Sequence, residues 1–229
     1  DAGGEDFTIE DGATLTMDAG SVTVISGGDW TRTDGTLTLD ADSKVLYTTD
    51  ANSTMAPEVY GHIEHNGGTL IQEGALVVLG TFTNTSGNFA ASQNITAGGI
   101  VWTAGSLTGT PSQAWNIGTD GITIDGGAFK ATTGTFTVAG DWMQSGGTFT
   151  HDSSNVDFNG ATAQTITSGG SSFFSVSISN TSAAEVSLLD PFEFNGSGTL
   201  TIGENATFAT AGNDFNDNGG TIINNGTFE

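Results

Sequence analysis

Twenty-six Asp and Glu residues face three basic ones, Arg32, Lys44 and Lys130, so the chemistry this chain could do is mainly that of carboxylate oxygen. Two stretches concentrate it: Asp40-Ala41-Asp42-Ser43 and Asn213-Asp214-Phe215-Asn216-Asp217-Asn218. Calcium takes six to eight oxygen ligands and tolerates irregular geometry. Asp40, Asp42, Asp214 and Asp217 are therefore candidate ligands of a structural calcium ion, the one cofactor the sequence suggests. The competing reading is turn chemistry, because short Asp and Asn side chains bond their own backbone. Neither stretch matches the helix-flanked calcium loop or the glycine-rich calcium nonapeptide.

The three histidines, His62, His65 and His151, do not form a metal motif. His62 and His65 are three apart, which on a strand sends them to opposite faces, and no third ligand lies nearby in sequence. Solvated surface positions are expected for all three. Of the four tryptophans, Trp30 and Trp142 occupy matching places in a repeated phrase and read as packing elements. Trp102 and Trp115 have no such counterpart, which makes them the candidates for stacking against a carbohydrate.

Enzyme motifs are missing. There is no Gly-x-Ser-x-Gly elbow and no phosphate loop. One Arg and two Lys leave little for a polysaccharide lyase. A glycosidase-type carboxylate pair would be sought among Glu58, Glu64 and Glu73, in the least repetitive stretch. The expectation is a protein without catalytic residues. Seven Asn-x-Ser/Thr sequons, at Asn52, Asn84, Asn94, Asn180, Asn195, Asn205 and Asn225, are candidate glycosylation sites. Thr-x-Thr phrases raise ice binding, but their spacing is uneven, and strand propensity explains them.

Composition narrows the partners. A net charge of −23 leaves almost no cations to replace phosphate counterions, so nucleic acid is excluded. An anionic membrane surface would repel the chain, and no apolar run is long enough for a spanning helix. With no Cys, disulfides and thiolate sites are absent, which does not argue for a cytosolic home. The sequence starts at Asp1 with neither Met nor a basic leader, as expected of a processed chain or a fragment.

The elements that must position these residues are strands. Val22-Thr23-Val24-Ile25, Thr135-Phe136-Thr137-Val138 and Thr199-Leu200-Thr201-Ile202 alternate polar and apolar residues with period two. Gly27-Gly28, Asp34-Gly35, Asp125-Gly126, Gly146-Gly147 and Asn225-Gly226 punctuate them. A Gly-Thr-apolar-Thr phrase recurs at Gly35, Gly80, Gly134, Gly147 and Gly198, as if one inward position were reused. The predicted fold is all-β, a parallel β-helix (β-solenoid) of irregular repeats, with tandem β-sandwich modules as the alternative.

A longer repeat overlies this one. Gly28-Asp29-Trp30 leads to Gly35-Thr36-Leu37-Thr38, and Gly140-Asp141-Trp142 leads to Gly147-Thr148-Phe149-Thr150, an offset of 112 residues. The expected division is an N-terminal strand segment at 1–27, a first module at 28–139 and an incomplete second module at 140–229, in one continuous solenoid. Ala51 to Val59, with Pro57, reads as a rewritten loop.

The second module carries Gly140-Asp141-Trp142, Val156-Asp157-Phe158-Asn159-Gly160, Gln164-Thr165-Ile166 and Phe174-Ser175-Val176-Ser177-Ile178 in that order. In this it resembles the repetitive β-rich segments of large bacterial and archaeal surface proteins, the adhesin-like and filament-forming kind. The resemblance implies an extracellular, cell-surface, non-enzymatic scaffold and carries over no binding residue. The expected function is structural: a filament, layer or adhesin stalk built by end-to-end or strand-mediated self-association of identical subunits. Phe7, Ile9, Leu15, Ile222 and Phe228 are the candidate self-association residues, since unprotected strand edges recruit further strands. The alternative is a carbohydrate-binding or carbohydrate-cleaving β-helix, with surface glycans as partner.

Overall fold

Strands with one apolar side and one polar side need a shared interior, and this chain finds it by coiling. In the computed structural model it is all-β, with parallel strands stacked in a β-solenoid of about 10 turns. The structure describes residues 7–9, 13–26, 30–32, 36–48, 50–109, 112–181 and 185–229, and no helix occurs among them. Every strand pairing among the described residues is parallel, which replaces the sandwich alternative. A strand's partner is not its neighbour in sequence but the strand one coil away. That step is 18 residues from Lys44 to His62 and 24 from Trp142 to Ile166.

Each coil visits three sheets. The first sheet stacks Val45, Ile63, Phe82, Ile100, Ile122, Trp142, Ile166 and Leu188 in one inward column. The second carries Ser53, Leu70, Phe89 and Leu107 in register, then Phe129 against Phe149, and further on Phe173 against Phe194. The third aligns Leu76, Ile95, Trp115, Phe136, Val156, Val176, Leu200 and Ile222. All of these side chains are buried except Ile222. Each removes its apolar surface from water, worth about 25 cal/mol per Å².

Stacking by coil also places like beside like. Rings run from Phe82 through Trp102, Phe129, Trp142, Phe173, Phe192 and Phe208 to Phe228, with successive centroids 5.0 to 6.5 Å apart. Buried amides fasten the corners. Gln164 Nε2 donates to the Val138 and Gly140 carbonyls at 2.9 and 2.6 Å, while its Oε1 accepts from Gly160 N and Asn180 Nδ2.

Two expectations change. Ala51 to Val59 is not a loop: Asn52–Met55 is a strand of the second sheet, in register with 69–72, and Pro57 falls at the corner after it. The offset of 112 residues does not preserve position in the coil. Strand Trp30–Arg32 lies beside Asn52–Met55, on the second-sheet side, whereas Trp142–Gln144 belongs to the first sheet. Likewise Val45-Leu46-Tyr47 and its looser counterpart Val156-Asp157-Phe158, one residue out of that offset, lie in the first and the third sheet. The repeated phrase thus encodes two short strands and the corner between them, and its two copies fall on different sheets. Strand pairing runs through residue 140 without interruption.

Candidate functional site

The corner from the third sheet into the first is recessed along part of the solenoid. There the chain places Leu79, Gly98, Gly118, Ala139 and Asn159 in successive coils, small residues in the middle of the row. Backbone proximity imposes the small size. A Cβ on Gly98 would lie 2.6 Å from the Leu79 carbonyl oxygen, and one on Gly118 would lie 2.9 Å from that of Gly98. The result is an open trough of about 420 Å³. Its wall on the third sheet is the outward column Val77, Thr96, Asn116 and Thr137. Leu79, 52% exposed, stands at one end and Asn159 at the other.

Hydrogen bonding orients the wall. Thr137 Oγ1 donates to Asn116 Oδ1 at 3.0 Å, so the Asn116 Nδ2 group is left to face solvent as a donor. Thr96 and Asn159 make no side-chain hydrogen bond with other described residues. Thr137 stands beside Asp157 in the same column. Partial burial raises the Asp157 carboxyl above its ordinary range, against the pull of the Ser179 hydroxyl, which donates to it at 2.6 Å. Neither Lys44 nor Lys130 lines the trough. Lys44 pairs with Glu64 and Lys130 with Asp152, each at 3.0 Å.

The residues singled out in the sequence lie elsewhere. Trp102 and Trp115 are 0% and 2% exposed, so neither offers a face to a sugar. They are core residues because each shares an inward column with aliphatic neighbours, Trp102 following Ile100 and Trp115 preceding Ile117 on the same strand face. Trp142 packs in the core as expected, and the Trp30 side chain lies outside the described residues.

His65 corrects the surface expectation, while His62 stays partly accessible. Opposite faces were right for this pair, but one of those faces is the interior. His65 Nδ1 lies 2.6 Å from Asn84 Oδ1, and Asn84 Nδ2 donates to the Ala104 carbonyl at 2.7 Å. The amide is therefore fixed with its oxygen toward the ring, and Nδ1 carries the hydrogen. Burial pushes the imidazole below its ordinary range, opposed by Asn84 and the backbone of Gly67. Tyr47, one coil away in register, has its phenol pushed up by burial, as does Tyr60.

The oxygen-rich stretches serve as turns. Asp40 Oδ1 accepts from Asp42 N at 2.9 Å, and Asp217 Oδ1 accepts from Gly219 N at 3.2 Å. Asp214 and Asp217 sit between the strands Thr207–Ala209 and Thr221–Asn224, far along the chain's stack from the Asp40 corner. No group of three His, Asp or Glu side chains suited to a metal ion occurs among the described residues. Glu64 is held by Lys44, and Glu58 and Glu73 lie at corners around Pro57 and Gly74.

Of the sequons, Asn84 and Asn180 are buried and their amides are engaged, so the folded chain cannot carry glycans there. Asn52, Asn94, Asn195, Asn205 and Asn225 are exposed. Phe7 and Ile9 belong to a strand in register with Trp30–Arg32, and their side chains lie outside the described residues. Leu15 packs on the core, as does Phe228 against Phe208 and Phe215, while Ile222 is 40% exposed.

Nothing in the sequence pointed to the trough. Its wall residues are about one coil apart, and only the pairing register brings them together. Compared with known proteins, the chain is matched by no family model, by no curated protein and by no solved structure.

Proposed function

We propose that this protein is an extracellular structural element of a cell-surface filament, layer or adhesin stalk, and that it works by strand-mediated, end-to-end association. The observation that carries this reading is the unbroken stack. Parallel strands rise about 4.8 Å per coil, around an interior closed by aromatic rings from Phe82 to Phe228. Such a coil resists bending, since any bend separates stacked side chains on one side. The acidic exterior, at a net charge of −23, keeps rods dispersed side by side.

Growth along the axis is the direction that geometry favours. Strand Thr221–Asn224 pairs with Thr199–Ile202 on one edge, and Ile222 and Ile223 are 40% and 45% exposed. A further coil on the free edge, from the same polypeptide or another copy, would cover Ile222, which continues the inward column, and satisfy the strand's remaining backbone groups. Sedimentation velocity across a wide concentration range, with and without calcium, tests this together with negative-stain microscopy of native material. Rods that lengthen with concentration, and that shorten in Ile222→Lys, are expected. A protein that stays monomeric throughout, with no filament or lattice in the native material, removes the proposal. Antibody labelling of intact cells tests the location.

A further inference from the structure

We propose that the trough between the third and first sheets is a binding site for an extended neutral polysaccharide lying along the solenoid axis. This is independent of end-to-end association and uses residues different from the tryptophans.

Four features of the trough point to that ligand. First, it is long: from Leu79 to Asn159 it crosses four coil steps of about 4.8 Å, roughly 19 Å. A chain molecule fills that shape, and a compact metabolite does not. Second, its surface is mixed. Leu79 and Ala139 give apolar contact, while Thr96, Asn116 and Asn159 give hydroxyl and amide groups. Sugar rings present the same mixture, apolar C–H faces edged by hydroxyls. Third, the polar groups are not consumed internally. Asn116 Nδ2 is turned outward by the Thr137 bond, and Thr96 and Asn159 have no side-chain partner among the described residues.

Fourth, charge selects against the competing polymers. Among the described residues no basic side chain lines the trough, Asp157 adjoins its wall, and the molecule carries −23. A polyanion would meet uncompensated repulsion here. Coil spacing then sets the recognition mode. Hydrogen-bonding residues recur once per coil on one rigid face, so a polymer repeating at a similar interval makes the same contact several times. Individually weak contacts add along such a polymer because they share one loss of translational freedom.

Native gel electrophoresis through hydroxyethyl cellulose, arabinoxylan or galactomannan, with polygalacturonate as the anionic comparator, tests the site. Retardation by at least one neutral polymer is expected, with none by polygalacturonate. Combined Thr96→Ala, Asn116→Ala and Asn159→Ala changes lie on the surface and leave the core intact. They should raise the dissociation constant at least about tenfold, equivalent to about 1.4 kcal/mol. Thr123→Ala, on the outward side of the first sheet, should leave it unchanged. A second variant, Ala139→Phe, fills the trough and should give the same loss. The proposal fails if no neutral polymer retards the protein, if the variants are retarded equally, or if polygalacturonate alone retards it. It also fails if sedimentation shows a dimer that Leu79→Ser dissociates, because the trough would then be an interface between copies.

Discussion

The coils between residues 62 and 124 and those beyond 142 solve the same packing problem differently. In the earlier set the strands His62–Gln72, Leu76–Ala91 and Trp115–Ile124 bend around corners without ending, and bulges absorb the turn. In the later set the strands are two to four residues long and end at loops, where glycines such as Gly169, Gly170 and Gly196 take positive φ. The interiors differ as well. The earlier coils thread a polar column, Tyr47, His65 and Asn84, into the first sheet before Trp102 closes it. The later coils fill the interior mainly with rings and keep a few buried amides, Gln144, Gln164 and Asn180, beside them. A three-sheet coil therefore tolerates either filling, provided each column stays continuous. The tight corners of the earlier set also recess the surface, and the trough starts where they pass from the third sheet to the first and runs on past them to Ala139 and Asn159.

The largest effect should come from breaking the ring stack. Trp142 is fully buried and sits 4.7 Å from Phe149 and 5.0 Å from Phe173 by ring centroids. Trp142→Ala should cost about 3–5 kcal/mol by urea denaturation. Phe82→Ala, in the earlier coils, removes a smaller ring with neighbours at 4.7 and 6.5 Å and should cost less. Equal losses would mean that the later ring stack contributes no more than the earlier packing, and the distinction between the two regions would fall.

The polar column predicts an acid sensitivity confined to the earlier coils. Burial holds the His65 imidazole below its ordinary value, so on lowering the pH the unfolded chain takes up the proton first. The contribution is fully present above the unfolded value of about 6.5 and is lost as pH falls from there through the folded value. Wild type should therefore lose stability across that window relative to His65→Gln, measured as the difference in urea midpoints at each pH. The difference should be smaller than the tryptophan effect, because only one proton is involved. Hydrogen exchange should show the loss in amides of residues 62–104 and not beyond 142. A parallel fall in both proteins would assign the acid response to other groups.

How much of this was legible depends on which period is read. Period two is local, and Thr135–Val138 shows the expected alternation, with Phe136 and Val138 inside. The same parity rule reached further than it was applied. His65 lies two residues from Ile63, Trp102 two from Ile100, and Trp115 two from Ile117, so each shares an aliphatic residue's inward face. Treating those residues singly, and not by their strand face, placed them on the surface. The coil period is a different matter. It runs from 17 to 24 residues, while the Gly-Thr-apolar-Thr phrase marks only one strand of a coil. Only the inter-strand register, a long-range property, assembles Thr96, Asn116 and Thr137 into a wall.

Among the described residues one surface ion pair reaches into each region, and these give the smallest expected effect. Lys44 and Glu64, 41% and 29% exposed, bridge the early coils at 3.0 Å. Lys130 and Asp152, 38% and 37% exposed, bridge the later ones at the same distance. Exposed pairs are worth about 0–1 kcal/mol, and salt screens them. In this chain they have an added role, because two of the three cations take part in them and the net charge is −23. Removing either lysine adds self-repulsion to the lost pair, so Lys44→Met and Lys130→Met should each lower the urea midpoint slightly at low ionic strength. In about 0.5 M salt, where the Debye length falls well under 10 Å, both differences should vanish together. If one of them persists in salt, that pair is held by packing of the lysine stem and not by charge, and the two regions would then differ at the surface as well as inside.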